Sequence, residues 1–191
     1  MEMDEFIKLV KDGEPVRGED KAIYTLLLKC SDEALRITAE LNGEYHSAND
    51  VRYLFSKLIG KKVDESFNCF PPFYTDFGKN ITIGKNVFIN TGCSFQDRGG
   101  IYIGDGTQIG QNVVMATLNH GFSIEDRNTT YPSKITIGKN VWIGSNATIL
   151  PGVTIGDNAV IGAASVVTHD VPKNTVVVGS SVRRIKKLNN V

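Results

Sequence analysis

The apolar positions of this chain follow two different periods. Over residues 1–60 they recur every three or four residues. In "EDKAIYTLLLKCSDEALRITAELN", Ile23, Leu26, Leu27, Cys30, Ala34, Ile37 and Leu41 form one stripe, which predicts an amphipathic helix. "SANDVRYLFSKLIG" opens on capping residues, places Val51, Leu54, Phe55, Leu58 and Ile59 on one side, and stops at Gly60. "DEFIKLVKDG" predicts a shorter helix ending near Gly13. These helices cannot bury their stripes on one another alone, so they are expected to pack against the remainder of the chain. From residue 80 the apolar positions stand six apart. Ile83, Ile89 and Phe95 begin the series. After a two-residue insertion come Ile103, Ile109 and Met115, and later Ile137, Ile143, Ile149, Ile155, Ile161 and Val167 run unbroken.

A glycine often follows the aliphatic, as at Gly84, Gly104, Gly110, Gly138, Gly144, Gly156 and Gly162. Four residues after the aliphatic comes a small or β-branched side chain: Val87, Thr107, Val113, Val141, Ala147, Val153, Ala159 or Ser165. A strict internal repeat is the strongest statement a sequence makes about its fold. One hexad is one short strand plus one tight turn. The aliphatic and the small residue point inward, and the turn's unusual dihedrals are expected to be met by Gly, Asn or Asp. Three such faces close a triangular coil, and stacked coils pair their strands in parallel. A β-sandwich with fortuitous spacing is the competing reading, and the run of in-phase hexads argues against it.

The repeat stops at "ATLNHGFSIEDRNTTYPSK", residues 116–134, and resumes in phase. Such a segment is thrown out of the coil rather than breaking it, and long loops in compact folds often carry function. It contains His120. An imidazole titrates near neutrality, so it can act as a general base towards a hydroxyl. A loop histidine holding one backbone hydrogen bond is the other reading. The single tryptophan, Trp142, falls on an outward position, where an indole needs a ligand or a neighbouring chain to cover it.

Charge and composition narrow the field. The 191 residues suffice for one domain with an appendage. Lys+Arg and Asp+Glu balance at 21 each, which gives no reason to expect nucleic acid or a membrane surface as partner. Cys30, Cys69 and Cys93 are odd in number and lack metal spacing, so they read as small buried hydrophobes in a reducing, cytoplasmic protein. No signal peptide or bilayer-spanning run is expected. The histidines are His46, His120 and His169, with no close pair, so a zinc hydratase built on a similar prism is disfavoured and no metal is expected.

The block "ITIGKNVWIGSNATILPGVTIGDNAVIGAASVVTHDVPKNTVVVG", with the histidine loop "TLNHGF", resembles the hexapeptide-repeat acyltransferases, specifically their maltose/galactoside O-acetyltransferase branch. The resemblance implies a mainly β protein: a left-handed parallel β-helix over residues 70–180, with a small helical cap at 1–62 and a basic C-terminal tail at 181–191. It also implies a homotrimer with clefts between subunits, acetyl-coenzyme A as co-substrate, and a sugar or other hydroxyl-bearing small molecule as acceptor. In the resembling enzymes the histidine matching His120 deprotonates the acceptor, which attacks the thioester directly. Asn90, Asp97 and Asp76 match acceptor-side positions. Trp142, Ser145, Ala163 and Thr168 match positions along the coenzyme. His169 stands where the family has a lysine. Arg183 and Lys186 belong to a cationic stretch that suits the coenzyme's phosphates. Ser181 replaces a proline just before Arg183. An N-acetyltransferase of an amino sugar, a xenobiotic acetyltransferase on the same scaffold, and a non-catalytic prism remain as alternatives.

Overall fold

The computed structural model describes residues 1–188; residues 189–191 of the basic segment lie outside the described residues. Three helices precede the repeat: α1 (Met3–Lys11), α2 (Lys21–Gly43) and α3 (Ala48–Ile59). Asp20 caps α2 through its side chain, which accepts from the N–H groups of Ala22 and Ile23. Ser47 and Asp50 form a reciprocal capping box on α3, and Gly60 ends that helix in the left-handed region. The helices bury their stripes on the first coils. Ala34, Ile37, Leu41, Leu54, Phe55 and Leu58 join the same apolar core as Phe73, Ile89 and Phe95. No described helix is long and apolar enough to cross a membrane.

The repeat builds a left-handed parallel β-helix with three faces. The first face carries the strands Asn68–Cys69, Phe88–Ile89, Gln108–Ile109, Trp142–Ile143, Val160–Ile161 and Thr175–Val178. The second carries Phe73–Thr75, Cys93–Gln96, Val114–Ala116, Thr148–Ile149 and Val166–Val167. The third carries Ile81–Ile83, Ile101–Ile103, Ile135–Ile137 and Thr154–Ile155. Each aliphatic of the series stacks on its equivalent one coil away: Ile89 on Ile109, Ile109 on Ile143, Ile143 on Ile161. The small inward residues Thr107, Ala147, Ala159 and Ser165 are fully buried at the corners. Burying one such isoleucine is worth roughly 1.5–3 kcal/mol, so the column is the main stabilising feature.

Two details differ from the sequence reading. The coil begins earlier than residue 80, because Asn68–Cys69 and Phe73–Thr75 already pair in register with the next coil. Their hexad is hidden by Pro71 and Pro72 and by aromatic inward residues. The turn dihedrals are met by asparagine and glycine, as expected: Asn86, Asn112, Asn140, Asn146, Asn158 and Asn174 hold φ of 53–61°, and Gly92, Gly106 and Gly152 hold φ of 71–84°. The glycines after the aliphatic have ordinary φ and serve another purpose. A Cβ on Gly144 would stand 2.6 Å from the Ala163 backbone nitrogen, so glycine there lets successive coils approach.

The basic segment is a strand and not a free tail. Arg183–Lys187 runs antiparallel to Thr175–Val178 and closes the edge of the first face. Its five side chains are all exposed. Charged residues suit an edge strand, since they discourage further pairing.

Candidate active site

The interrupting segment is a hairpin. Leu118–His120 pairs antiparallel with Thr130–Pro132, placing His120 opposite Thr130. The N-terminal segment braces it, since Val16 and Thr130 exchange two backbone hydrogen bonds of 2.9 Å. Inside the loop, Arg127 donates from Nε to the Gly121 carbonyl (3.0 Å) and from Nη2 to the Phe122 carbonyl (2.9 Å). The Arg127 carbonyl lies 2.8 Å from His120 Nδ1. An acceptor there fixes the proton on Nδ1, which leaves the Nε2 lone pair free on an exposed ring. The backbone-bonded reading and the general-base reading of His120 are therefore compatible: each uses a different nitrogen.

Asn90 sits at the corner joining the first face to the second. Its Oδ1 accepts from the Thr91 N–H at 2.9 Å, so its amide NH₂ is the part left to face outward. The same corner continues along the prism. The N–H groups of Phe70, Asn90, Gly110, Gly144 and Gly162 each donate to an aliphatic residue's carbonyl one coil onward. Ser145 follows Gly144, its hydroxyl bonded to Gln111 Oε1 at 2.6 Å, and exposed Ala163 follows Gly162. Trp142, 58% exposed, flanks this corner on the first face. Register then runs outward from Trp142 to Val160, Val176 and Lys186. At about 4.8 Å per strand, Lys186 lies roughly 14 Å from the indole. Arg183 and Lys186 thus stand at the far end of the line that begins at Asn90.

The opposite edge of the second face carries the other candidates. His120 leaves from that corner. Thr168 and His169 lie on it further along, where Thr168 Oγ1 meets His169 Nδ1 (2.8 Å) and Ser181 Oγ (2.7 Å). Ser181 therefore ties the turn that a proline would stiffen. Asp76 also lies on this side, 3.2 Å through Oδ2 from Arg98 Nε. Burial raises the Asp76 pKa, and the Arg98 guanidinium opposes that rise. Arg98 was not picked out by the sequence pattern: it is a single cation in a turn, and only the fold sets it against Asp76.

Asp97 does not face a ligand. It is fully buried, and its Oδ1 accepts from Thr75 Oγ1 (2.6 Å) and the Gly78 N–H (2.8 Å), its Oδ2 from the Asn80 N–H (3.0 Å). The acceptor-binding expectation for Asp97 is corrected on that ground: its accepting capacity is turned inward, where it fastens the turn beneath the histidine loop. Burial pushes its pKa up to about 6, and the three donors pull the other way without cancelling it. Among the described residues, no group of three His, Cys, Asp or Glu is placed to hold a metal ion.

Residues 134–169 match the family described as bacterial transferase hexapeptide (six repeats). The galactoside O-acetyltransferase of Escherichia coli K12 is 40% identical over 153 residues, 79% of this chain and 75% of its own. A putative acetyltransferase of Schizosaccharomyces pombe, C18B11.09c, is 43% identical over 122 residues, and the match spans 59% of that protein's length. Among solved structures, a maltose O-acetyltransferase from Clostridium difficile 630 superposes with a TM-score of 0.87 at 36% identity, covering 96% of this chain and 97% of that one. A hexapeptide-repeat acetyltransferase from Vibrio cholerae O1 biovar eltor, solved with acetyl-coenzyme A, gives 0.81 at 31% identity, covering 97% and 99%. Repeat, extruded histidine hairpin and these likenesses agree, and the chain belongs to the hexapeptide-repeat acyltransferases, in their galactoside and maltose O-acetyltransferase branch.

Proposed function

We propose that this protein transfers acetyl from acetyl-coenzyme A to a hydroxyl of a sugar or glycoside, with His120 as general base. The observation that carries the reading is the geometry of His120: Nδ1 is held by the Arg127 carbonyl, and Nε2 is left on an exposed ring. An alcohol holds its proton about as tightly as water does, and needs such a base to attack at neutral pH. His120 Nε2 takes the hydroxyl proton as the oxygen bonds to the thioester carbon. The C–S bond then breaks, and the imidazolium returns the proton to the thiolate. The Asn90 NH₂ donates towards the oxygen on which charge develops. Coenzyme lies along the corner from Asn90 past Ser145 and Ala163, beside Trp142, with its phosphates at Arg183 and Lys186.

Asn90 and His120 occupy opposite edges of the second face, on the order of 15 Å apart across five residues of strand. One chain does not close this site. The outward residues of that face, Tyr74, Ser94, Gln96, Val114, Ala116, Thr148 and Val166, carry no charge. Packing these faces around a three-fold axis sets the His120 edge of one copy against the Asn90 edge of the next, a heterologous contact that closes as a ring. Each cleft of this homotrimer then receives Asn90, Trp142, Ser145, Ala163, Arg183 and Lys186 from one copy. It receives His120, Thr168, His169 and Asp76 from its neighbour. Asp76 and Arg98 on that edge offer the acceptor one carboxylate and one guanidinium.

The test is thiol release at pH 7.5 from acetyl-coenzyme A with maltose, glucose, thiogalactosides, amino sugars and chloramphenicol. Sugar-dependent release that falls about 10²-fold or more in His120→Ala is the expected result. Full activity in that variant removes His120 as the base. Release with amino sugars or chloramphenicol alone moves the reading to N-acetylation or to a xenobiotic acceptor.

A further inference from the structure

Asp76 and Arg98 leave the second face at the corner from which the histidine hairpin is extruded. Thr75 pairs with Phe95 and Gln96 with Ala116, so Asp76, Arg98 and Leu118 follow one another on three successive coils. The second and third of these coils are tied there. The Gly99 N–H donates to Thr117 Oγ1 at 2.9 Å, and the Thr117 N–H donates to the Gln96 carbonyl at 3.2 Å. His120 comes three residues after Thr117, at most about 10 Å along the strand. Arg98 Nε lies 3.2 Å from Asp76 Oδ2, but the contact is an ion pair without hydrogen-bond alignment, and Asp76 Oδ1 is buried with no partner. Among the described residues, these are the two buried side-chain polar atoms that lack a hydrogen-bond partner. Buried polar atoms are normally bonded, so two left open on one corner call for an explanation. The side chains can be reached, with 25% of Arg98 and 34% of Asp76 exposed. With Oδ1 buried, the exposed oxygen of the carboxylate is Oδ2. The turn does not depend on the guanidinium, since Asn80 Nδ2 holds the Arg98 carbonyl at 3.1 Å.

We propose that Asp76 and Arg98 together read a second hydroxyl of the acceptor, which donates to Asp76 Oδ2 and accepts from an Arg98 N–H. The proposal rests on the acetyl-transfer reading, which puts the reacting hydroxyl at His120 on the same corner. A hydroxyl both donates and accepts, as this pair requires. An ammonium cannot accept and is repelled by the guanidinium. A deoxy carbon or an ether oxygen cannot donate, and a carboxylate or phosphate is repelled by Asp76. Hydrogen bonds to ionised partners are the strong ones, so the wrong group at this position is costly. Burial raises the Asp76 pKa and Arg98 opposes that rise, so the guanidinium also keeps the carboxylate an acceptor. The acceptor class is then a neutral polyol, and an amino group at the second position is rejected.

The experiment takes whichever of maltose, glucose and isopropyl thiogalactoside releases most thiol, together with its monodeoxy and amino-deoxy analogues. Each is assayed with the wild type, Arg98→Met, Arg98→Lys and Asp76→Ala. In the wild type, one deoxy position is expected to raise the sugar KM about tenfold or more, and an amino group there at least as much. Arg98→Met and Asp76→Ala raise the KM of the parent sugar by a similar factor and no longer distinguish it from that deoxy analogue. Their kcat and their KM for acetyl-coenzyme A stay within about twofold of the wild type. Arg98→Lys recovers part of the lost discrimination. A merely structural role would lower kcat or shift the coenzyme KM, and would not erase the preference for one hydroxyl. Should either Arg98→Met or Asp76→Ala fail to fold, the other carries the test. An unchanged sugar KM in these variants, or a hydroxyl preference that survives in them, overturns the proposal and leaves acetyl transfer standing. No sugar-dependent release from the wild type overturns the acetyl-transfer reading, and the proposal with it.

Discussion

Arg127 shows how a residue away from the reacting atoms can govern them. Its side chain clasps two carbonyls of the hairpin, and its own carbonyl orients the His120 ring. We expect Arg127→Ala to lower kcat by roughly tenfold, with KM for acetyl-coenzyme A little altered, because the base is misplaced rather than removed. A loss as deep as that of His120→Ala would contradict a positioning role. Asp97 makes a different residue-scale prediction. Its folded pKa of about 6 lies above the ordinary 3.8, so the folded state holds the proton more tightly than the unfolded chain does. The stability tied to this proton is present below the unfolded pKa and is lost as pH rises through about 6. Urea unfolding of the wild type against Asp97→Asn should therefore show the wild-type advantage shrinking by about 2 kcal/mol between pH 4 and 7. A constant difference across that window would refute it.

At the scale of the element, each hexad depends on two kinds of special position. Gly144 serves close approach: alanine there meets the Ala163 nitrogen at 2.6 Å. Thermal unfolding of Gly144→Ala should show a loss of about 2 kcal/mol or more, since backbone and not a flexible side chain must yield. Ala164 serves a turn and does so poorly, holding φ of 55° where its neighbours in the same role are asparagines. Left-handed φ costs an ordinary residue roughly 1–2 kcal/mol. Replacing it with glycine, which also loosens the unfolded chain, should still stabilise the protein by about 0.5–1 kcal/mol. A lower melting temperature for Ala164→Gly would show that the Cβ is packed rather than strained.

At the scale of the whole molecule, the question is whether the catalytic groups meet within one chain or between two. Co-expression of His120→Ala with Asn90→Ala chains decides it. In shared clefts, random mixing pairs an intact His120 with an intact Asn90 in about a quarter of the clefts, and activity returns to that level. Sites complete within one chain would give no recovery. Val114→Lys, at the middle of the uncharged second face, is expected to give a monomer in sedimentation that keeps its β-helix circular dichroism and loses activity.

The sequence by itself determined the inward column of the prism. Aliphatics six apart can all be buried only if each hexad makes one face, and helices with a single stripe need that prism to cover them. It also marked His120, because an in-phase interruption must leave the coil. Only the tertiary structure decided the roles of Asp97 and Arg98, neighbours in sequence. One side chain turns inward to three donors and the other turns outward to Asp76. The same holds for the basic segment, expected as a C-terminal tail with cations for the coenzyme's phosphates, which its register with Thr175–Val178 makes a strand. Local pattern fixes which residues are buried along a regular repeat. At a corner, where the chain turns, the direction of a polar side chain is set by whichever donors the neighbouring coil supplies, and those lie some twenty residues away in sequence, as Asp97 lies from Thr75.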